Sequence, residues 1–494
     1  MIKISHFNEV FSTIETDTHT KHKLMRVFNI QEPGYYFNPM YKLGAWDGRR
    51  CLYNGGNLIH CGLIPFIKNY CAKSGLEFED HTRLYPTNNI RLDINDFIDS
   101  LNLPFKPREY QLNAVKECVY YKKLAICSPT SSGKSFIIYM LTRYMQEHKR
   151  GNSKLLIIVP SKILVKQMYD DFKDYSKNDS WNVEDHCSRI SSDFNKDFSK
   201  EIIITTYQSI ANEDISFFKH FEGVVLDECH GAQSYNNDKA KRLHTILNQC
   251  INSRYRFGFT GTFPDEMLYR LTLLKYFCNK YDATDYGELL ENNWISKFTL
   301  NAITLNYLVN KNGQAYRDEL NYIYESKYRN DFLKKLLLKN QNNQLMLFKE
   351  ITKHALKFYN ELLEDPRFKD KKIVLLSGES KVKERDEAKK LIAENNNVIL
   401  LATYKLLGTG WSVNNLHHII FAAPLKSKQP ILQSIGRGLR LLNSDKNCKI
   451  WDIVDKFLYQ NILYKQWKER EQHYKSVNFN INSINIDDNN IVKK

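Results

Sequence analysis

The sequence predicts an α/β protein: two tandem domains, each built on a parallel sheet, behind a small α+β module. Three observations carry this. Five short apolar runs alternate with helical stretches between about residues 105 and 260, and a second series of runs begins near residue 300. The first run leads into Ser128-Pro129-Thr130-Ser131-Ser132-Gly133-Lys134-Ser135, a low-bulk loop that opens an apolar helix at Phe136. And 494 residues exceed what a single core can hold.

Residues 1–100 are expected to form the α+β module. Gly34 to Arg50 alternates Tyr and Phe with Gly, Pro and Asp-Gly turns, which suggests short strands and a hairpin. Its aromatics lie among Lys42, Arg49 and Arg50. They suit a nucleic-acid contact and equally the core of a small domain. Ile64 to Cys71 suggests a helix.

Residues 101–298 form the first expected α/β domain, with strands at Lys123–Cys127, Leu155–Val159, Glu201–Ile204, Gly223–Leu226 and Tyr255–Phe259. Residues 299–456 form the second, with strands at Gln344–Phe348, Lys372–Leu376, Asn397–Leu401, His418–Phe421 and Lys449–Ile453. A charged helix is expected over Tyr316–Leu338. Residues 457–494 are expected as a helix over Leu458–Tyr474 followed by a frayed, Asn-rich tail.

The net charge of +15 favours a polyanionic partner, although the richness in Asn, Ile, Lys and Tyr also fits a base-composition habit. Ten scattered cysteines form no CxxC pair and no Cys/His cluster with metal-ligand spacing, so reduced thiols in a cytoplasmic protein are expected. No apolar run approaches membrane-span length, and the N-terminus lacks a signal-peptide layout.

The loop ending at Ser135 has the physics of a phosphate cradle. Small residues let backbone N–H groups face phosphate oxygens, and a helix N-terminus adds its positive dipole end. Lys134 supplies charge to the β/γ-phosphates and Ser135 a hydroxyl to Mg²⁺. The usual first Gly is Ser128 here. Asp227-Glu228-Cys229-His230 follows the apolar run Val224-Val225-Leu226. A carboxylate at such a strand end can hold Mg²⁺ through water, which assigns Asp227 to the metal. Glu228 is then the base for an attacking water, and His230 a sensor of the γ-phosphate side. In the second half, Arg437 and Arg440 sit three apart at an expected helix start, suited to phosphate oxygens that develop charge.

These motifs, in this order, resemble those of superfamily 2 helicases and translocases over about residues 105–455. The resemblance implies two RecA-like domains facing each other across an ATP-binding cleft. It implies Gln111 on the adenine edge with Arg108 nearby, and nucleotide contacts from Thr130, Ser131, Ser132, Gly133, Gly410 and Gln433. Pro160-Ser161-Lys162 resembles motif Ia and Thr205-Thr206-Tyr207-Gln208 motif Ic, both implying contacts to a nucleic-acid backbone. Thr260-Gly261-Thr262 resembles motif III, which with His230 implies coupling of ATP state to domain movement. Lys349, Ser377, Gly378 and Thr403 fall in the backbone-contacting motifs of the second domain. Ser412 replaces an Asp that many relatives carry in motif V.

The spelling narrows the family. Motif II is Asp-Glu-Cys-His, and motif VI lacks the His-Arg start of DEAD-box RNA helicases. Tyr36-Phe37-Asn38-Pro39 with Trp46-Asp47-Gly48-Arg49, Asn414 to His418, and Trp451 to Asp455 resemble segments of UvsW-type phage helicases. That implies an ATP- and Mg²⁺-dependent DNA helicase, acting as a monomer on branched, duplex or forked DNA and on RNA–DNA hybrids in recombination, repair and replication. An RNA helicase, or a non-unwinding duplex motor of a restriction-type complex, are the alternatives.

Overall fold

The computed structural model describes residues 1–82, 94–194, 196–309, 315–408, 413, 415–425, 431–432, 434–436, 447–459 and 461–487. The chain divides into two compact units. The first is Met1–Ser128 with Gly133–Ala283; the second is Pro129–Ser132 with Thr284–Lys494.

Among the described residues the N-terminal module has six strands: β1 (Ile2–His6), β2 (Phe11–Glu15), β3 (Asn29–Gln31), β4 (Arg49–Cys51), β5 (Leu58–His60) and β6 (Phe78–His81). Four form a sheet in the order β5-β2-β1-β6, and β3 pairs antiparallel with β4 as a separate ribbon. Alternation in β1 and β2 buries Ile2, Ile4 and Ile14 against Leu24 and Phe28. This core is shared with Leu268 and Leu271 of the following domain. A Cβ on Gly62 would lie 1.9 Å from the carbonyl oxygen of Leu274, so glycine is required where the module meets the helix Met267–Phe277. The run between β3 and β4 is not a plain hairpin. Tyr35–Phe37 is a 3-10 turn and Pro39–Lys42 a short helix. Asn38 caps that helix and Pro39 starts it, so strand pairing stops there.

The first α/β domain is built on β7 (Lys123–Cys127), β8 (Lys154–Val159), β9 (Cys187–Ile190), β10 (Ile202–Thr206), β11 (Phe221–Asp227), β12 (Tyr255–Thr260) and β13 (Asn279–Asp282). The order is β13-β7-β12-β11-β8-β10-β9, with all pairs parallel. The five inner strands are buried on both faces and are the five expected from sequence. The edge strands β9 and β13, with Arg189 and the run Asn279-Lys280-Tyr281-Asp282, carry polar residues that hide a strand from hydropathy.

The second domain repeats the plan with β14 (Phe298–Asn306), β15 (Gln344–Phe348), β16 (Lys372–Leu376), β17 (Val398–Thr403), β18 (His418–Phe421), β19 (Cys448–Lys456) and β20 (Ile481–Asp487). Its order is β16-β17-β15-β18-β19-β14-β20, again all parallel. Two expectations are corrected. The helix over Tyr316–Leu338 is two helices, Tyr316–Glu325 and Lys327–Lys339, because Ser326 adopts extended backbone and caps the second. The tail is not frayed over Ile481–Asp487: this segment pairs with β14 along its length. An edge strand is held by backbone hydrogen bonds, so an Asn-rich composition does not prevent it.

Two buried ion pairs hold helices to β19. Asp455 accepts from Arg329 Nε at 2.9 Å and from Tyr307 Oη at 2.6 Å, with both charged side chains fully buried. Asp452 accepts from Arg470 Nε and Nη2 at 2.9 and 3.0 Å and from Tyr474 Oη at 2.8 Å, tying down the helix Ile462–Ser476. No helix among the described residues is long and apolar enough to cross a membrane.

Asp455→Ala leaves Arg329 charged, buried and without its carboxylate. It is expected to destabilise the second domain by about 3–5 kcal/mol, read as a lower urea midpoint.

Candidate nucleotide site and nucleic-acid groove

In a parallel sheet the polar loops gather at the carboxyl ends of the strands. In the first domain β7, β12 and β11 are neighbours there, and the expected nucleotide residues cluster on them. Register sets Ile126 level with Phe259 and Phe259 level with Asp227. The loop strand and the Asp227 strand are therefore two strand spacings apart, about 10 Å.

The loop after β7 starts with Ser128, whose N–H donates to the carbonyl of Thr260 at 2.9 Å. Ser131 and Gly133 have φ of +72° and +81°, and the Ser132 N–H between them donates to the Pro129 carbonyl at 3.3 Å, which closes the loop as a tight turn. Gly133 is required twice over. Beyond its φ, a Cβ there would lie 2.6 Å from Gln111 Nε2. Gln111 thus rests on the loop, and its Oε1 accepts from the Arg108 backbone N–H at 2.9 Å. Arg108 Nη1 donates to Tyr110 Oη at 3.2 Å. Lys134 folds back to donate to the Ser128 carbonyl at 3.1 Å. Ser135 Oγ lies 2.9 Å from Tyr175 Oη, a partner that sequence reasoning missed because it stands on another helix. Within the second compact unit, Ser131 Oγ donates to the carbonyl of Gly436 at 2.7 Å.

Asp227 ends β11 and accepts the N–H of Glu228 at 2.9 Å. Glu228 has φ of +50°, an uncommon conformation for a non-glycine residue. It turns the carboxylate back to His230, with Oε2 3.2 Å from Nδ1. The same Nδ1 is 3.1 Å from Thr260 Oγ1. The Thr260 hydroxyl hydrogen is directed to the Thr262 carbonyl at 2.9 Å. The threonine oxygen must then accept from His230, so the imidazole carries its proton on Nδ1. His230, Thr260, Thr262 and Ser128 form one hydrogen-bonded chain, with Gly261 in its turn and the Glu228 carboxylate beside its His230 end.

Lys239 is the site residue least visible in the sequence. A Cβ on Gly231 would meet its Cε at 2.8 Å, so this glycine makes room for the lysine stem. Burial lowers the Lys239 pKa, while Glu228 and Asp227 pull it back up. The ammonium offsets charge beside the carboxylate pair. Cys229, between them in sequence, is fully buried, and burial holds its thiol well above the usual range; it serves packing.

Ser135 and Asp227 offer hard oxygen donors of the kind Mg²⁺ prefers. Among the described residues no group of three His, Cys, Asp or Glu could hold a metal. That donor set fits Mg²⁺, which takes most of its ligands from phosphates and water.

The same carboxyl edge continues onto β8, β10 and β9, where a cleft of about 440 Å³ opens. Ser161, Lys162, Thr206 and Gln208 line it, joined by Ser191, Ser192, Lys196, Ser209 and Asn212, which sequence reasoning did not single out. Pro160 is half-buried beside it. Ser161 caps the helix Lys162–Tyr175, so a helix N-terminus also faces this region. Thr205 is corrected: it is fully buried and donates to the Ile190 carbonyl at 2.9 Å. Side chains alternate along β10, so only one of the two threonines can face the cleft, and that is Thr206.

In the second domain Lys349, Ser377 and Thr403 follow or end the neighbouring strands β15, β16 and β17. Thr403 is buried. Lys405 packs its stem where a Gly378 Cβ would stand, and Arg385 Nη2 donates to the Gly378 carbonyl at 2.7 Å. Both add positive charge that the motif pattern did not mark. Gly410, Gln433, Arg437 and Arg440 lie outside the described residues.

Residues 2–79 match the family "DNA helicase UvsW, N-terminal", residues 104–265 "Type III restriction enzyme, res subunit", and residues 328–441 "Helicase conserved C-terminal domain". The ATP-dependent DNA helicase uvsW of Enterobacteria phage T4 is 29% identical, across 96% of this chain and 97% of that protein. A putative helicase of a Sulfolobus islandicus filamentous virus is 23% identical over 78% of this chain and 71% of its own. The crystal structure of T4 UvsW superimposes with a TM-score of 0.50, covering 99% of each chain at 26% identity. The DNA-bound restriction-modification enzyme LlaBIII shares the fold at 14% identity, with a TM-score of 0.56 over 85% of this chain and 36% of its own.

Gly133→Ala places a side chain against Gln111 at a φ that costs an L-residue about 1–2 kcal/mol. It is expected to weaken binding of a fluorescent ATP analogue at least tenfold with little change in circular dichroism.

Proposed function

We propose that the chain, which resembles UvsW along nearly its whole length, is a superfamily 2 helicase that uses ATP to drive branch migration, fork regression and R-loop unwinding on branched DNA and RNA–DNA hybrids. One observation carries the mechanism. The hydrogen-bonded chain from Ser128 to His230, with Glu228 beside it, and the cleft lined by Ser161, Lys162 and Thr206 occupy the same carboxyl edge of one parallel sheet. A change at the phosphate end of that edge bears directly on the grip at the other.

In this reading Gln111 and Arg108 meet the adenine, and Thr130 to Ser135 cradle the phosphates. Ser135 and Asp227 would hold Mg²⁺, which supplies charge neutralisation between the β- and γ-phosphates when bound. Glu228 takes the proton of the attacking water. His230, donating from Nδ1, reports the state of Glu228 to Thr260. Arg437 and Arg440 supply positive charge to the γ-phosphoryl group as it is transferred to water and ADP leaves. Hydroxyls and the lysines Lys162 and Lys196 grip phosphates without reading bases, so binding is sequence-independent and salt-sensitive. Lys349, Ser377 and Gly378 serve the second domain in the same way, while Thr403, being buried, supports the strand end behind them. The match of residues 104–265 to a restriction subunit favours one alternative, a duplex motor that translocates without unwinding. Strand displacement on forked DNA by the protein alone separates the two.

Lys134→Ala is expected to lose DNA-stimulated ATPase at least 100-fold while still binding DNA; near-normal turnover would refute the loop assignment. Glu228→Gln should bind ATP normally and hydrolyse it about 10²–10⁴ times more slowly in a single-turnover assay. Replacing both Lys162 and Lys196 by Ala should weaken binding to every DNA sequence alike and reduce the salt slope by about two.

A further inference from the structure

The segment between β3 and β4 settles the ambiguity of its aromatics: they are not a core. Tyr36 is 54% exposed, Phe37 71%, Met40 51% and Leu43 78%. Exposed apolar side chains are ordinary when scattered, but a run this dense marks a contact surface. The segment is also firmly held. Tyr35 packs edge-on against Tyr41 with ring centroids 4.6 Å apart, and a Cβ on Gly48 would lie 2.6 Å from the Tyr35 ring. Asn38 caps the short helix, and Trp46 Nε1 donates to the Arg49 carbonyl at 2.7 Å. The apolar tip is therefore presented on a built support.

The base of the tip is fastened to the segment that follows the Asp227–His230 motif. Arg50 Nε donates to Glu32 at 2.6 Å and its Nη2 to Asn236 Oδ1 at 2.7 Å, while Asn236 Nδ2 donates back to Glu32. The Arg50 guanidinium also stacks over Trp46 and faces Tyr235. Only a few residues of 3-10 turn and loop separate His230 from Tyr235 and Asn236.

The charge around the tip selects its partner. Lys42 and Arg49 are exposed on the tip itself. The helix Thr18–Val27 of the same module exposes His19, His22, Lys23 and Arg26 and contains no acid. Asp47, the acid on the tip, accepts the Arg49 backbone N–H at 2.9 Å. Exposed aromatic faces with Lys42 and Arg49 on the same segment suit nucleobases flanked by phosphates. We propose that the Tyr36–Leu43 tip is a base-stacking element that engages the last base pair or the unpaired bases at a DNA branch point, held in register with the hydrolysis motif through Arg50, Glu32 and Asn236. The proposal rests on the reading of the chain as a DNA helicase. It adds the surface that meets the branch.

The test uses the full chain with Phe37→Ala/Leu43→Ala and, separately, Phe37→Trp. A forked DNA carries 2-aminopurine at the branch. Binding without ATP reports stacking by fluorescence, independently of hydrolysis. Single-stranded DNA-stimulated ATPase and fork separation are measured in parallel. The expected result is a branch-specific fluorescence change that the double variant loses. Its ATPase on single strands should stay within twofold and its fork separation should fall at least tenfold, with Phe37→Trp restoring both fluorescence and separation. The proposal is overturned if the double variant separates forks like the wild type, if fluorescence does not depend on the tip, or if Phe37→Trp is as defective as the alanine variant. It is also overturned if sedimentation shows that the tip joins two copies of the chain. Absence of DNA-stimulated ATPase in the wild type would refute the helicase reading alone, since the fluorescence measurement needs no turnover.

Discussion

The Thr260 side chain is the point on which the candidate site depends. It ends β12, the strand inserted between the phosphate-loop strand and the Asp227 strand. Its carbonyl accepts from Ser128 on one side and its hydroxyl from His230 on the other. With the hydroxyl hydrogen given to Thr262, the bond to His230 has only one polarity. Glu228, in its left-handed conformation, is then held by an imidazole whose tautomer is fixed. Strained backbone of this kind persists only where the surroundings over-determine it, and here three strand ends do so.

The second consequence of the parallel sheet is economy of transmission. Both the nucleotide loops and the polar cleft sit at carboxyl ends, so no long relay is needed between them. The inner strands are buried on both faces and cannot shift by a residue without exposing apolar surface. The N-terminal module lies in the same compact unit as this sheet. Its core is shared with Leu268 and Leu271, and Gly62 lies directly against helix backbone. Its apolar tip is tied through Arg50, Glu32 and Asn236 to the segment that follows Asp227–His230.

Most of the fold was legible because inner strands of a parallel sheet are continuous apolar runs. What escaped in the two α/β domains was held by backbone pairing: β9, β13 and β20 are edge strands carrying polar residues, and β14 is a nine-residue strand paired with two others. For the candidate site, what the sequence offered was residue type and spacing. Gln111, Lys134, Asp227, Glu228 and His230 are chemically distinctive at their spacing, and the structure gathers them. Thr205 failed because two adjacent threonines look alike in sequence while a strand turns them to opposite faces. Tyr175, Lys239 and Lys196 were missed because each reaches the site from another element.

The sequence by itself determined the chemistry available: a low-bulk loop closing on Gly-Lys-Ser, a carboxylate pair at a strand end, and a strong excess of positive charge. These depend on residue type and on separations of a few residues, which the chain holds locally. The tertiary structure alone decided strand order, and so which polar ends are neighbours. It also decided that Tyr36, Phe37, Met40 and Leu43 face outward when their composition suited a core equally well. Hydrophobicity states what a side chain gains from burial; whether the fold has an interior at that place is settled by contacts hundreds of residues apart, here between Arg50 and Asn236.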